Sequence, residues 1–348
     1  MQNKSIHIEI LLNNNLDSTT QISSDPSILN IPQDESKPLC SFGVLADIQY
    51  SDHDDVHVFN KCRYYRNSLN QISNAIDHWK EFELKTDSKL KFILQLGDLI
   101  DGKCKRNNES VESMHLALKQ LNKMFDDETG AEIPKLLHIF GNHEMYNFLR
   151  SEILSLELNS ARALGQDAKK NGIYYALDLS SKLKLICLDL YEFSVLGYAK
   201  TDETFIKANE FIETKLKESK RSGLYPVMNG GVKGMQLSWF ENELYKCQSE
   251  NKKALVCGHC PVLEEASHVK YLALNSDELN GVMGQFRNVV VAYLSGHYHE
   301  GGYLKDEFNI HHITVPGVVE KGPDECSIMT ANVYEDKIII LLKNGKIE

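Results

Sequence analysis

The chain of 348 residues carries 38 Lys and Arg against 49 Asp and Glu, a net charge of −11 with both signs interspersed. That balance suits a water-soluble protein and is the wrong sign for gripping a nucleic-acid polymer. The longest apolar runs are strand-sized, too short to span a bilayer, and eight cysteines scattered through so long a chain point to a reducing, cytoplasmic setting rather than a disulfide framework.

Residues 1–38 are rich in Asn, Ser, Gln and Asp and contain one short apolar run, IHIEILL. They are expected to form a flexible extension, or one weak strand and a linker, outside a single domain spanning 39–348. The extension has almost no Lys or Arg, which argues against a mitochondrial presequence. The folded part opens with a buried strand over 41–47, followed by an acidic and aromatic loop over 50–60. Helical spacing then runs from Lys61 to Lys80, with Tyr65, Leu69, Ile72, Ile76 and Trp79 on one face. A second strand is expected over 91–97, a helix over 111–125 and a third strand over 136–140; this alternation predicts a parallel half-sheet.

Farther on, 174–179 and 183–190 flank Ser180-Ser181-Lys182 and read as a hairpin. Helices over 204–217 and 236–247 flank the loop Asn229-Gly230-Gly231. Buried strands follow over 254–258 and 289–296. The C-terminal segments HHITV, SIMTANVYE and KIIILLK alternate as three antiparallel strands. Periodicity by itself indicates an α/β fold and no more.

The chemistry lies at the ends of five apolar runs, each closing on a small residue and then a metal-ligand type. FGVLAD leads to Asp47 and Gln49, FILQLGD to Asp98, IFGNHE to Asn142, ALVCGH to His259 and VVVAYLSGHYH to His297 and His299. Ligands of open sheets bind beyond the carboxyl ends of strands. Seven oxygen and nitrogen donors are too many for one tetrahedral zinc but suit two divalent ions sharing a carboxylate. No thiolate belongs to the set, and the C-x-x-C spacing of Cys257 and Cys260 lacks the second pair that a zinc site needs. Carboxylate, imidazole and amide donors together favour Mn, with Mg, Fe, Co or Zn as other candidates.

In order and spacing these motifs, DIQ, GD, GNHE, GH and GHYH, resemble those of the calcineurin-like metallophosphoesterases. Gln49 stands where most of that family has His. The departure, together with RYYRNSL, GNHEMYNF, LYEFSVLGY, NGG followed by QLSWF, and GHYHEGGY, resembles the manganese-dependent ADP-ribose/CDP-alcohol diphosphatase branch, over roughly residues 41–334. The resemblance implies a four-layer αββα sandwich of two mixed sheets. It also implies a dinuclear site in which Asp98 bridges, Asp47, Gln49 and His299 hold one ion, and Asn142, His259 and His297 hold the other. His143, next to Asn142 but outside the donor set, is the candidate general acid. A phosphoanhydride needs further donors, for which Arg66, Tyr146, Asn147, Arg150, Gly230 and Gly231 are the candidates. Phe59 and Leu196 fall where the branch holds its nucleobase.

The expected activity is hydrolysis of ADP-ribose, CDP-alcohols or related nucleotides into two phosphomonoesters by a monomer acting on small nucleotides. A cyclic-nucleotide phosphodiesterase or phosphomonoesterase on the same site is the alternative within the enzyme class. A non-catalytic scaffold of the same fold is the alternative outside it.

Overall fold

The computed structural model of the chain describes residues 7–13, 37–58, 60–125, 134–166, 172–218 and 226–346. In chain order its strands are β1 (His7–Asn13), β2 (Cys40–Leu45), β3 (Val56–Val58), β4 (Lys61–Arg63), β5 (Leu90–Gln95), β6 (Leu136–His138), β7 (Tyr175–Asp178), β8 (Leu183–Cys187), β9 (Lys253–Cys257), β10 (Val290–Ser295), β11 (Gly302–Lys305), β12 (His311–Thr314), β13 (Glu325–Val333) and β14 (Lys337–Lys346). Three helices recur below: α1 (Asn67–Thr86), α2 (Ser110–Asn122) and α3 (Asn142–Asn147).

Two six-stranded sheets form, in the orders β1-β14-β13-β2-β5-β6 and β11-β12-β10-β9-β8-β7. Alternate residues of β2 and β5, including Phe42, Val44, Phe92 and Leu94, share one apolar cluster with Leu185, Leu255, Leu294 and Ile313 of the other sheet. The sheets therefore pack face to face. The opposite residues of the same strands, Leu45 and Ile93, meet Ile72, Ile76 and Trp79 of α1 and Met114 and Leu118 of α2. On the other side Phe240 and Leu244 of the helix Gly234–Ser249 and Leu279 and Met283 of the helix Ser276–Gln285 join Ile186, Val256 and Val290. This is the αββα sandwich, its layers set by which residues of each strand are apolar.

Trp79 illustrates the packing. It is fully buried, its indole N–H donates to Thr330 Oγ1 at 3.1 Å, and a Cβ on Gly43 of β2 would overlap its ring. Loss of such a side chain costs ~3–5 kcal/mol.

Three expectations are corrected. First, β1, which was to lie outside the fold, pairs in parallel with β14 at the edge of the first sheet. The rest of the 1–38 extension, apart from Lys37 and Pro38, lies outside the described residues. Second, HHITV does not join the last two strands. The tight turn after β11, where Asp306 Oδ1 accepts the N–H groups of Phe308 and Ile310, folds β12 straight back into the second sheet. Third, Val56–Val58 and Lys61–Arg63 form an antiparallel ribbon where loop and helix were expected, so α1 starts only at Asn67. It runs on to Thr86 and stops at Asp87, whose φ of 50° is left-handed. The expected parallel half-sheet is present: β2, β5 and β6 run parallel, while β13 meets β2 antiparallel and makes the whole sheet mixed. No helix among the described residues is long and apolar enough to cross a membrane.

Candidate metal centre

The parallel neighbours β2, β5 and β6 in one sheet and β9 and β10 in the other bring five carboxyl ends to one place. The chain bends abruptly there. Asp47, Gln49, Asp98 and His297 all have left-handed backbones, with φ of 51°, 45°, 60° and 66°. For residues with a Cβ this costs ~1–3 kcal/mol each, a strain that persists only where surrounding contacts enforce it. Those contacts are visible: Asp47 N–H donates to the Gly97 carbonyl at 3.1 Å and Gln49 N–H to the Asp98 carbonyl at 2.8 Å. Two glycines explain the GD and GN dipeptides. A Cβ on Gly97, itself at φ 103°, would strike the His259 ring, and one on Gly141 would strike the Asp98 carboxylate.

All seven expected donors meet in this cluster. Asp98 Oδ2 is central, 3.2 Å from Gln49 Nε2 and 3.5 Å from His259 Nε2. On one side His299 Nε2 lies 3.3 Å from Asp47 Oδ1 and 3.0 Å from Gln49 Nε2. On the other, His259 Nε2 lies 3.2 Å from both Asn142 Oδ1 and His297 Nδ1. Asp98, His259 and His297 each offer a ligand atom, all within 4.8 Å of one another. Asp47 Oδ1 and Gln49 Oε1 are buried without a hydrogen-bond partner. Such orphans cost ~1–3 kcal/mol each and fit a cation, which both atoms can coordinate. Turned by 180° about its last torsion, the Gln49 amide sets its oxygen between Asp98 and His299.

The electrostatics match this demand for positive charge. Burial acts to raise the Asp98 pKa, but the imidazoles of His259, His143 and His297 together outweigh it and the carboxyl is held well below its usual range. Burial likewise opposes protonation of His259 and His299, yet Asp98 raises the first well above normal, and Asp47 and Glu320 raise the second to about 9. His297 is pushed far down, by burial and then by neighbouring His259. A bound cation would supply the positive charge that these groups favour.

Four residues that hold the donors were missed in the sequence reading. Glu144 accepts the N–H groups of Asp98, Leu99 and Gly141 at 2.7–2.8 Å, locking two strand ends together. Glu320 Oε1 takes His299 Nδ1 at 2.8 Å, and Asn229 Oδ1 takes His297 Nε2 at 2.8 Å, so each ring turns its other nitrogen inward. Asp101 Oδ2 lies 3.1 Å from His143 Nδ1. Glu144 and Asp101 stood in plain view inside GNHE and GDLID. Asn229 was noted only for its loop, and Glu320, 21 residues beyond His299, carried no signal.

His143 keeps slight exposure, 12% of its side chain, with Nε2 3.8 Å from Asp98 Oδ2. Gly102 N–H donates to its Nδ1 at 2.9 Å, which in the neutral ring leaves the proton on Nε2. Burial works against its protonation, but Asp98 and Asp101 together hold its pKa above the ordinary value.

The expected substrate contacts fare less well. Phe59 lies outside the described residues. Arg66 is exposed and paired with Asp52 and Asp54 at 2.5 and 2.6 Å. Arg150 is buried against Asp189 in a two-pronged ion pair, one arm at 3.1 Å. Asn147 spends its amide on the carbonyls of Asp101 and His143 and on the Ser110 hydroxyl. Gly231 N–H donates to Phe193, and Gly230 is small because a Cβ would hit the Leu190 carbonyl. Arg66, Asn147, Arg150 and Gly231 are thus committed elsewhere. Tyr146 stands edge-on to His143 with ring centroids 5.2 Å apart, and Leu196 is half-buried in its loop.

Comparison with known proteins settles the lineage. The profile described as calcineurin-like phosphoesterase matches residues 41–301. The chain belongs to that family. The manganese-dependent ADP-ribose/CDP-alcohol diphosphatase of Mus musculus is 33% identical over 91% of this chain and 94% of its own length. Those of the same name from Xenopus tropicalis and Arabidopsis thaliana are 35% and 31% identical, over 87% and 88% of the chain. Among solved structures, a dimetal phosphatase from Danio rerio superposes with a TM-score of 0.77 at 28% identity, covering 88% of this chain and 97% of that one. As a calcineurin-like phosphoesterase the chain is a hydrolase, and its branch is that of these relatives.

Proposed function

We propose that this phosphoesterase hydrolyses the phosphoanhydride of ADP-ribose, CDP-alcohols and related nucleotides to a nucleoside monophosphate and a phosphorylated sugar or alcohol. The names of the relatives support the substrate class. The observation that carries the chemistry is the pair of buried, under-satisfied oxygens inside a ring of seven strand-end donors: Gln49 Oε1 has no hydrogen-bond partner and Asp47 Oδ1 has only the His299 ring, at 3.3 Å. Asp47, Gln49 and His299 would hold one divalent ion, and Asn142, His259 and His297 the second, with Asp98 available to both and Mn the ion the relatives' names favour. Two such ions supply Lewis acidity and a nucleophile drawn from water at neutral pH.

The chain's own groups do the rest. Asp98 and Asn142 are fixed through α3 and Glu144, so the ligand frame is rigid before substrate arrives. His143 Nε2 faces the cluster and carries the proton that the departing phosphate oxygen takes as its bond to phosphorus breaks. Asp101, on the far side of the ring, stabilises the imidazolium from which that proton comes. Water adds to one phosphorus, the anhydride bond breaks, and each half leaves with one phosphate.

All seven ligands come from one chain, so a monomer is sufficient for activity. Its eight free thiols suit a reducing compartment such as the cytoplasm. Chromatography of the products from ADP-ribose is the test. AMP and ribose 5-phosphate in equal amounts are expected; inorganic phosphate as the first product, or turnover of cyclic nucleotides with ADP-ribose left intact, contradicts the reading.

A further inference from the structure

Arg150, expected to contact substrate, is instead tied to both ends of one segment of the chain. Its guanidinium grips both carboxylate oxygens of Asp189, just beyond β8, with one arm at 3.1 Å, and its own N–H donates to the Gly197 carbonyl at 2.7 Å. A single residue thereby closes the segment 189–197 into a compact loop. The closure lies deep, since Arg150 and Asp189 are 7% and 2% exposed. Gln236, fully buried, completes it by accepting the Asp189 N–H at 2.8 Å and donating to the Asp189 carbonyl at 2.9 Å and to Glu192 at 2.6 Å. A buried ion pair adds little net stability once desolvation is counted, so its presence here points to a geometry that has to be held.

Between its ends the segment grips the loop 228–231. The Tyr191 hydroxyl donates to the Met228 carbonyl at 3.1 Å, the Ser194 hydroxyl donates to the Asn229 carbonyl at 3.2 Å, and Phe193 and Gly231 exchange N–H bonds at 3.3 and 2.9 Å. Asn229 is the residue whose side chain takes His297 Nε2. On the opposite flank Gly197 faces Met145 of α3, the helix that begins with Asn142; a Cβ on Gly197 would come within 3.0 Å of the Met145 sulfur. The Tyr191 ring centroid also lies 6.0 Å from that of His259, and its hydroxyl 3.5 Å from Asn142 Oδ1. The segment therefore borders Asn142, His259 and the support of His297. None of its hydrogen bonds among the described residues reaches Asp47, Gln49, His299 or Glu320.

Groups behind the ligands of a metal fix ring and amide orientation, and their loss is felt as weaker metal binding. We infer that the segment 189–197, clamped by Arg150, is the positioning element of the Asn142, His259 and His297 half, with Tyr191 and Ser194 acting on its ion through Asn229. The inference rests on the two-ion reading above. Its consequence is that a change at Asp189, which contacts none of the seven donors, loosens one ion and leaves its neighbour in place.

The experiment reads bound metal rather than turnover. The full chain, freed of metal, is titrated with Mn while the unbound ion is followed by its paramagnetic resonance signal, in wild type, Tyr191→Phe, Ser194→Ala and Asp189→Asn. Each hydroxyl deletion is expected to weaken one of the two ions roughly 3- to 10-fold, the worth of about one hydrogen bond, and to leave the other within about twofold. Asp189→Asn is expected to weaken the same ion roughly 10- to 100-fold. Pairing the variants identifies that ion. Added to Glu320→Gln, Tyr191→Phe brings a second loss at the other ion; added to Asn229→Ala it costs less than about twofold more, because the support of His297 is already gone. A loss shared equally by both ions, a loss on the ion that Glu320→Gln weakens, or full additivity with Asn229→Ala overturns the assignment. Should Asp189→Asn fail to fold, the two hydroxyl deletions decide. Two Mn in wild type with unshifted variants refutes this inference alone, whereas fewer than two refutes the two-ion reading and the inference with it.

Discussion

The two halves of the metal centre are built differently. Around Asn142, His259 and His297 the donors already face one another at 3.2 Å, and the backs of the rings rest on neutral groups, the Leu96 carbonyl and the Asn229 amide. Around Asp47, Gln49 and His299, Gln49 Oε1 has no hydrogen-bond partner, Asp47 Oδ1 has only the His299 ring at 3.3 Å, and that ring is backed by a carboxylate, Glu320. One half is pre-formed and electrically mild. The other is unsatisfied and depends on a cation. Gln49 gives it an amide where most of the family has imidazole, a stronger donor, so its ion should be held less firmly than with His at that position, and Glu320 partly offsets this by making His299 more basic.

The largest effect is expected where the halves meet. Asp98→Ala removes the shared donor, and activity should fall by roughly three orders of magnitude or more, with metal content falling at both positions. A variant that kept one ion per chain at full occupancy would show that Asp98 serves a single half. His143→Ala comes next: kcat on anhydrides should drop by roughly two to four orders of magnitude while bound metal, measured by elemental analysis, stays constant. Loss of metal in that variant would make His143 part of the cluster rather than the proton donor beside it.

Substitution of the backing residues separates the halves. Glu320→Gln should weaken Mn binding about 10- to 100-fold at the Gln49 side alone, and Asn229→Ala should do the same at the His297 side. Mn titrations of the two variants that lose the same ion would collapse the distinction. The smallest effect belongs to Gln49→His, which should lower the Mn concentration at half-activation by exchanging the weak donor for a stronger one. An unchanged or higher midpoint would mean that the amide is no weaker than imidazole in this position.

The donors were legible because each closes an apolar run, and the parallel pairing of β2, β5 and β6 carries their ends to one rim. Left-handed backbones at Asp47, Gln49, Asp98 and His297 left no such mark, since Asp, Gln and His are ordinary elsewhere. Glu320 was hidden for another reason: its partner His299 is distant in sequence, and a carboxylate after a buried strand looks like any surface turn. Register was harder to read: spacing put Arg66 inside a long helix, but that helix begins six residues later than expected, at Asn67, and Arg66 precedes it, paired with Asp52 and Asp54. Arg150, read as a substrate contact, is held by Asp189; removing either partner of so buried a pair costs ~3–5 kcal/mol.

The central claim is that seven strand-end side chains form a two-ion centre that splits an anhydride. Counting Mn bound per chain while following AMP release from ADP-ribose tests it most directly. The account predicts full rate only at two Mn per chain, with AMP and ribose 5-phosphate formed in equal amounts; full rate at one Mn per chain, or in metal-free protein, would contradict it.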